Sequence, residues 1–188
     1  MGPQNNMIFC SQYIDIKNEE WKNKGCSISS LWMALKSLKL DFNLSVDELL
    51  EEAIKINSFN ENGFWKHEKI AILSHNHGLP AYAEEFKSVP FGVETEYSDS
   101  ILNYGVEKIF NFVKNKEGYV IVSVPKNFDS IDKPHSILIH DFVEKDNNRY
   151  FIYSDSEKLS KEEGESLEID LEEFKNKWRR LAIFINKI

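Results

Sequence analysis

Cysteine is scarce in this chain: its 188 residues hold only two, Cys10 and Cys26. Two are too few for a disulfide framework. They cannot form an ordinary structural zinc site without histidines, and the five histidines do not sit at finger spacing. Positive charge is also short, with 23 Lys and Arg against 31 Asp and Glu, a net charge of −8. Such a chain repels phosphates, which excludes nucleic acid as an expected partner. No apolar run approaches the roughly 18 residues of a membrane span. No basic segment followed by a long apolar stretch opens the chain, so no export signal is visible, a pointer toward the cytoplasm. Repeats and low-complexity tracts are missing as well. What is present is apolar bulk: 41% hydrophobic residues, including thirteen Phe, seven Tyr and four Trp. That fraction is too high for a disordered chain. The length predicts one domain over residues 1–188, burying roughly 70% of its unfolded surface without disulfides or metal.

Periodicity places the elements. Ile28, Leu31, Trp32, Leu35 and Leu38 recur at helical spacing, predicting a helix over residues 26–39 with Cys26 at its N-terminus. Ser45 with Glu48 three residues on is a capping box, starting a helix that runs to about residue 56. Residues 60–63 read as a turn and 64–77 as a third helix, closed by Gly78 in a left-handed cap. Residues 80–86 are extended, 89–98 irregular, and 101–114 a fourth helix. The β-branched run 119–124 reads as a buried strand. Residues 136–143 and 150–153 are two more strands joined by a hairpin at 145–148. Residues 154–168, the most polar stretch, read as a solvated loop. Asp170 caps a last short helix, and 181–185 is a final strand. Helices first and mostly antiparallel strands later predict an α+β fold, N-terminal helices packed on a mostly antiparallel sheet.

Cys26 is the foremost candidate for chemistry. A thiol at a helix N-terminus faces unpaired N–H groups and the positive end of the helix dipole, which favour the nucleophilic thiolate. The same N–H groups can stabilise an oxyanion. By position alone, a small buried core residue is the commoner role of a free cysteine. A nucleophilic thiol needs a base, and His135, following Pro134 at a strand start, is the best histidine. Asp155, ending the next strand, could orient its ring. His140 is the rival, and the hairpin loop decides between them. Cross-strand partners share a face, so a three-residue loop at 146–148 puts His135 on the face of Asp155. A two- or four-residue loop puts His140 there, and a single bulge reverses either outcome. Gln12, flanked by Phe9 and Tyr13, offers a side-chain amide as an oxyanion donor. His75 and His77 would point about 160–200° apart on a helix, so they are not expected to share a metal. Trp32 and Trp65 read as core.

These residues, taken in order, resemble a known family. Gln12, Trp21-Lys22-Asn23-Lys24-Gly25-Cys26 and the following Ser29, Ser30, Leu31, Met33, Ala34 and Leu35 are similar to the start of papain-like peptidases of the bacteriocin-processing, double-glycine-leader type, family C-39 and its relatives. Pro134-His135-Ser136-Ile137-Leu138-Ile139 resembles that family's Gly-His-aliphatic strand. Tyr153-Ser154-Asp155-Ser156 resembles its strand end at Asp-Pro. Residues 170–174, Trp178 and residues 182–185 resemble its closing helix and strand.

The resemblance implies a papain-like cysteine peptidase fold and acyl transfer on amides. It assigns Cys26 as nucleophile, His135 as general base and later acid, Asp155 as orienter, and Gln12 as oxyanion donor beside the backbone N–H of Cys26. It prefers His135 to His140, and implies a peptide or protein substrate with no cofactor and no metal. A peptide-binding module with weakened catalysis and an acyl or peptidyl transferase remain alternatives on the same fold. Four positions depart from the pattern: Ser27 and Pro134 replace glycines, a glycine is lost from residues 140–142, and Ser156 stands where proline is usual. Ser27 is expected to narrow the cleft. No transporter segment follows within the 188 residues, so the peptidase domain of an export machine is not expected. The acidic surface is expected to steer basic or neutral peptides toward the site.

Overall fold

A computed structural model describes residues 7–87 and 95–188, with the side chains of 130–133 excluded. Six strands and seven helices follow in the order α1 (Glu19–Lys22), α2 (Cys26–Leu38), α3 (Val46–Lys55), α4 (His67–Asn76), β1 (Ala81–Glu85), α5 (Ser98–Lys114), β2 (Gly118–Lys126), β3 (Ser130–Lys145), β4 (Asn148–Ser154), α6 (Lys161–Gly164), β5 (Leu167–Asp170), α7 (Leu171–Lys177) and β6 (Leu181–Asn186). The strands form one sheet in the order β1-β6-β2-β3-β4-β5, and every pairing is antiparallel.

Alternation along the strands splits the core in two. Tyr119, Ile121, Leu138, Ile183 and Ile185 pack against α2, α3 and α4. Their neighbours Val120, Val122, Ile137, Ile139 and Phe184 face the other way, against α5 and α7. The α+β expectation therefore holds, with helices on both faces of the sheet. Fully buried anchors such as Leu31, Leu35, Leu49 and Leu73 each contribute roughly 1.5–3 kcal/mol of transfer free energy.

Most of the expected elements are present. Ser45 and Glu48 form the reciprocal capping box, and Asp170 accepts from the N–H groups of Glu172 and Glu173. Gly78 has φ +86 at the end of α4. Helix α4 starts three residues later than expected, because residues 64–66 are extended and Trp65 bridges Phe59 across the turn. Of the irregular stretch expected at 89–98, residues 89–94 lie outside the described residues. Residues 154–168 are not a solvated loop. Ser154, Asp155, Ser156 and Gly164 are buried, and the segment contains α6 and the start of β5. Gly164 permits this: a Cβ there would come within 2.4 Å of Phe9 and 2.8 Å of the Asp155 carbonyl.

The β3–β4 hairpin decides the register at the site. Its loop has two residues, Asp146 and Asn147, both left-handed at φ +53 and +63, with Lys145 paired to Asn148. Continued without interruption, that register would bring His140 to the face of Asp155. A bulge intervenes: Ile139 pairs with Tyr153, yet Asp141 pairs with Ile152. His140 is the extra residue, and the slip returns His135 to the face of Asp155.

His140 bears a cost for this position. It is buried, neither ring nitrogen has a hydrogen-bond partner, and its neighbours include Tyr119, edge-on at 5.9 Å. Burial lowers its pKa from 6.5 to about 4. Between those values the unfolded chain takes up a proton that the folded chain refuses. Stability contributed by the neutral ring is therefore complete above about pH 6.5 and falls by up to about 3 kcal/mol as pH drops toward 4. His140→Leu is expected to remove this part of the acid loss, as read by urea unfolding at about pH 7 and about pH 4.5. An equal acid loss in both proteins would refute it.

Candidate active site

The N-terminus of α2 is left open by its own sequence. Gly25 is the N-cap and has no side chain to occupy the first-turn N–H groups. Nothing larger fits: a Cβ there would lie 2.2 Å from Ile16 Cδ1 and 3.2 Å from the Trp21 carbonyl oxygen. Cys26, the first helical residue, is half-buried and lines an open cleft of about 230 Å³. One wall is the loop carrying Phe64, which is 49% exposed, and Trp65, whose indole N–H donates to the Lys24 carbonyl at 2.6 Å. Phe59 meets both Trp21 and Trp65 edge to face behind it, and the two indoles are tilted against each other, so Trp65 is core, as expected.

The opposite wall is the sheet. It brings His135 and Ser136 of β3 to the cleft beside Cys26. His135 and Asp155 are both about 95% buried, and His135 Nε2 lies 2.7 Å from Asp155 Oδ1. A carboxylate accepts only, so Nε2–H donates and Nδ1 is the nitrogen left for the thiol. Asp155 Oδ1 also accepts the Glu157 N–H at 2.9 Å. Glu157 is clamped in turn by Lys126 at 2.6 Å and by the Tyr13 hydroxyl at 3.1 Å. The strand end that carries Asp155 is thus held on both sides.

Electrostatics couple the three groups. Burial pushes the Cys26 thiol up, but the hydrogen bond and charge of His135, with the N–H and hydroxyl of Ser136, outweigh it and hold the thiol below its ordinary value. Burial would lower His135, whereas hydrogen bonds to Asp155 and Cys26 push it up to about 10. For Asp155, burial is outweighed by His135, which holds the carboxyl below the usual range. Each shift is toward the charged form: thiolate, imidazolium and carboxylate. Cys10, by contrast, is buried, and burial with the nearby Asp15 carboxylate drives its thiol far up, so it stays protonated.

Gln12 is buried, not polar surface. Its Nε2 donates to the Lys22 carbonyl at 2.8 Å, its Oε1 accepts from the Ser156 hydroxyl at 3.0 Å, and its backbone N–H donates to the Ser156 carbonyl at 2.8 Å. It sits behind Gly25 and is not among the residues lining the cleft. Ser156, noted in the sequence only as a departure from the family pattern, and Ser136, noted only within the histidine strand, prove to be site residues to which the sequence assigned no role. Their partners lie 144 and 109 residues away in the chain, beyond any local pattern.

Ser27, expected to narrow the cleft, is buried with its Oγ 2.8 Å from Ser136 Oγ. His75 and His77 go to separate partners, the backbone of Ala81 and the Glu52 carboxylate. Among the described residues no group of three or more His, Cys, Asp or Glu is placed to hold a metal ion.

Comparison with known proteins agrees with this architecture. The model of the "Peptidase_C39 like family" matches residues 13–182, which take in Cys26, His135 and Asp155. The chain belongs to this family. No curated protein matches it. Among solved structures, the peptidase domain of Streptococcus ComA, a bifunctional ABC transporter involved in quorum sensing, superposes with a TM-score of 0.56 at 16% identity, covering 88% of this chain and 93% of that one. A double-glycine-motif protease from an AMS/PCAT transporter, solved in complex with its leader peptide, gives 0.51 at 18% identity, covering 87% and 84%. The C39-like chain thus has the papain-like fold of these peptidase domains. Among its described residues no helix is long and apolar enough to cross a membrane.

Proposed function

We propose that this member of the C39-like family is a cysteine peptidase acting on a peptide or protein substrate. The observation that carries the reading is the buried His135–Asp155 pair at 2.7 Å beside a Cys26 thiol held low. In this reading the Cys26 thiolate attacks the carbonyl carbon of a bound amide. The oxyanion is met by the backbone N–H of Cys26, and Gln12, buried behind Gly25 with one Nε2–H on the Lys22 carbonyl, has its second Nε2–H to turn toward it. His135 gives its proton to the departing amine and then takes one from the water that hydrolyses the thioester. Asp155 keeps the ring oriented throughout.

The cleft suits an extended peptide. Phe64 offers an apolar surface, and the charges that line it reverse the balance of the whole chain: Lys24, Lys87 and Arg179 against Glu85. Close to the site this local balance outweighs the long-range preference for basic peptides expected from net charge, because salt screens the latter within about 8–10 Å.

Alkylation tests the proposal directly. Iodoacetamide near neutral pH, read by mass spectrometry of each cysteine, is expected to label Cys26 at least about 100-fold faster than Cys10. Equal, slow labelling of both would sink the reading. Adding an amine acceptor to a peptide digest should still yield free acids; amide products would make the protein a transferase.

A further inference from the structure

Three successive residues just beyond β4 each hold a different part of the site. Asp155 holds His135, and Glu157 is gripped by Lys126 and Tyr13. Between them, Ser156 reaches Gln12, 144 residues away. It does so twice. Its carbonyl accepts the Gln12 backbone N–H at 2.8 Å, and its Oγ lies 3.0 Å from Gln12 Oε1. Both residues are at most 1% exposed. Ser156 stands where the resembled family usually has proline, and a proline has no hydroxyl to give.

Proton counting orients the Gln12 amide. The Lys22 carbonyl only accepts, so the Gln12 atom 2.8 Å from it is Nε2. The atom facing Ser156 is then the amide oxygen, and the Ser156 Oγ–H donates to it. One Nε2–H is spent on Lys22, which leaves one. The Lys22 carbonyl and the Ser156 hydroxyl pin the amide at both ends, so the direction of that last N–H is set before a substrate arrives. Direction matters here because Gln12 does not line the cleft. It sits behind Gly25, its Cβ 3.6 Å from where a Cβ on that glycine would be. A donor fixed in advance meets a developing charge without reorganising, and a swinging one does not.

We propose that Ser156 is a positioning residue for Gln12: it clamps the amide oxygen so that the remaining Nε2–H is aimed at the oxyanion that forms beside Cys26. The assignment rests on the Cys26 and Gln12 roles proposed above. It makes residues 155–157 one bracket that holds the proton-transfer half and the oxyanion half of the site in register.

The test compares two reactions of Cys26 in the full chain. With p-nitrophenyl acetate, the sulfur bonds to the acetyl carbon, an oxyanion forms, and its collapse expels p-nitrophenolate and leaves an acetyl thioester. With iodoacetamide, the sulfur displaces iodide from a saturated carbon and no oxyanion forms. Gln12→Ala is expected to slow acetylation by about 10²-fold, and Ser156→Ala by about tenfold, since the donor is loosened and not removed. The pH profile of alkylation should be unchanged in Ser156→Ala. In a Gln12→Ala background, Ser156→Ala should cost nothing more, because it acts only through the amide. Equal acetylation in Ser156→Ala and wild type, a parallel loss of alkylation, or a full tenfold loss in both backgrounds would overturn the assignment. Melting followed by circular dichroism checks that each variant is folded. If Ser156→Ala is not, Ser156→Thr and Ser156→Val are compared, alike in shape but differing in the hydroxyl. Acetylation faster in Thr than in Val supports the role, and equal rates remove it. The two readings fail separately. A wild type acetylated at Cys26 no faster than at Cys10 removes the nucleophile itself, whereas normal acetylation in every Ser156 variant removes only the role of the serine.

Discussion

Cys26→Ala is expected to end peptide cleavage, lowering kcat by about 10⁵-fold or more, while peptide affinity changes only a few-fold. The sulfur is the atom that would carry the acyl group, and no other described nucleophile can take its place. Cys10 is buried and held protonated, and the Ser27 and Ser136 hydroxyls are tied to each other. The substitution is mild for the fold: Ala is the best helix former, and Cys26 is only half-buried at the first position of α2. Loss of turnover without loss of binding, measured on one peptide by product formation and by titration calorimetry, isolates the chemical step. A wild type that binds but never cleaves, indistinguishable from Cys26→Ala, would make the protein a peptide-binding module on a peptidase fold.

His135→Ala is expected to damage both chemistry and stability. Without the imidazole the thiol loses the largest influence holding it down. Alkylation at neutral pH should fall, its inflection should move toward the ordinary thiol value, and cleavage should drop by about 10⁴-fold or more. The variant also strands a carboxylate. Asp155 is buried with His135 as its ionic partner, and removing one member of a buried pair costs about 3–5 kcal/mol. The pH dependence has a definite sign. His135 is raised to about 10 in the folded protein, so its contribution is complete below its unfolded value near 6.5 and is lost as pH rises through about 10. Asp155 is depressed, so its contribution is present above its unfolded value and lost as pH falls through the folded one. Urea midpoints of wild type and His135→Ala should therefore differ most between roughly pH 5 and 7 and converge above about pH 10. A constant difference across that range would exclude the ion pair. Cleavage by the wild type should follow the same window, rising as the thiolate forms and falling near pH 10 as His135 loses the proton it gives to the amine.

Much of this was legible from residues close together in the chain. The apolar stripe of α2, the Ser45–Glu48 box, the Asp170 cap and the Gly78 stop were all visible. Each signal is complete within one or two helical turns, and each was met within a few residues. The segment 154–168 misled for the opposite reason. Its polar side chains suggest solvent, but Asp155 and Ser156 are polar because they serve His135 and Gln12, partners 20 and 144 residues away.

The choice between His135 and His140 marks the boundary. The sequence by itself determined that one cysteine sits at a helix start, that a histidine and an aspartate occupy neighbouring strands of a hairpin, and that the ordered set resembles a thiol peptidase. It could not determine which histidine faces the aspartate, because side chains alternate and a single extra residue exchanges the two faces. The short Asp146-Asn147 turn alone would have favoured His140. Only the assembled sheet, by accommodating His140 as a bulge between Ile139 and Asp141, turned His135 to Asp155 and brought both to Cys26. Local energies set the elements within a few residues; the register that builds the site is set by packing across the whole sheet.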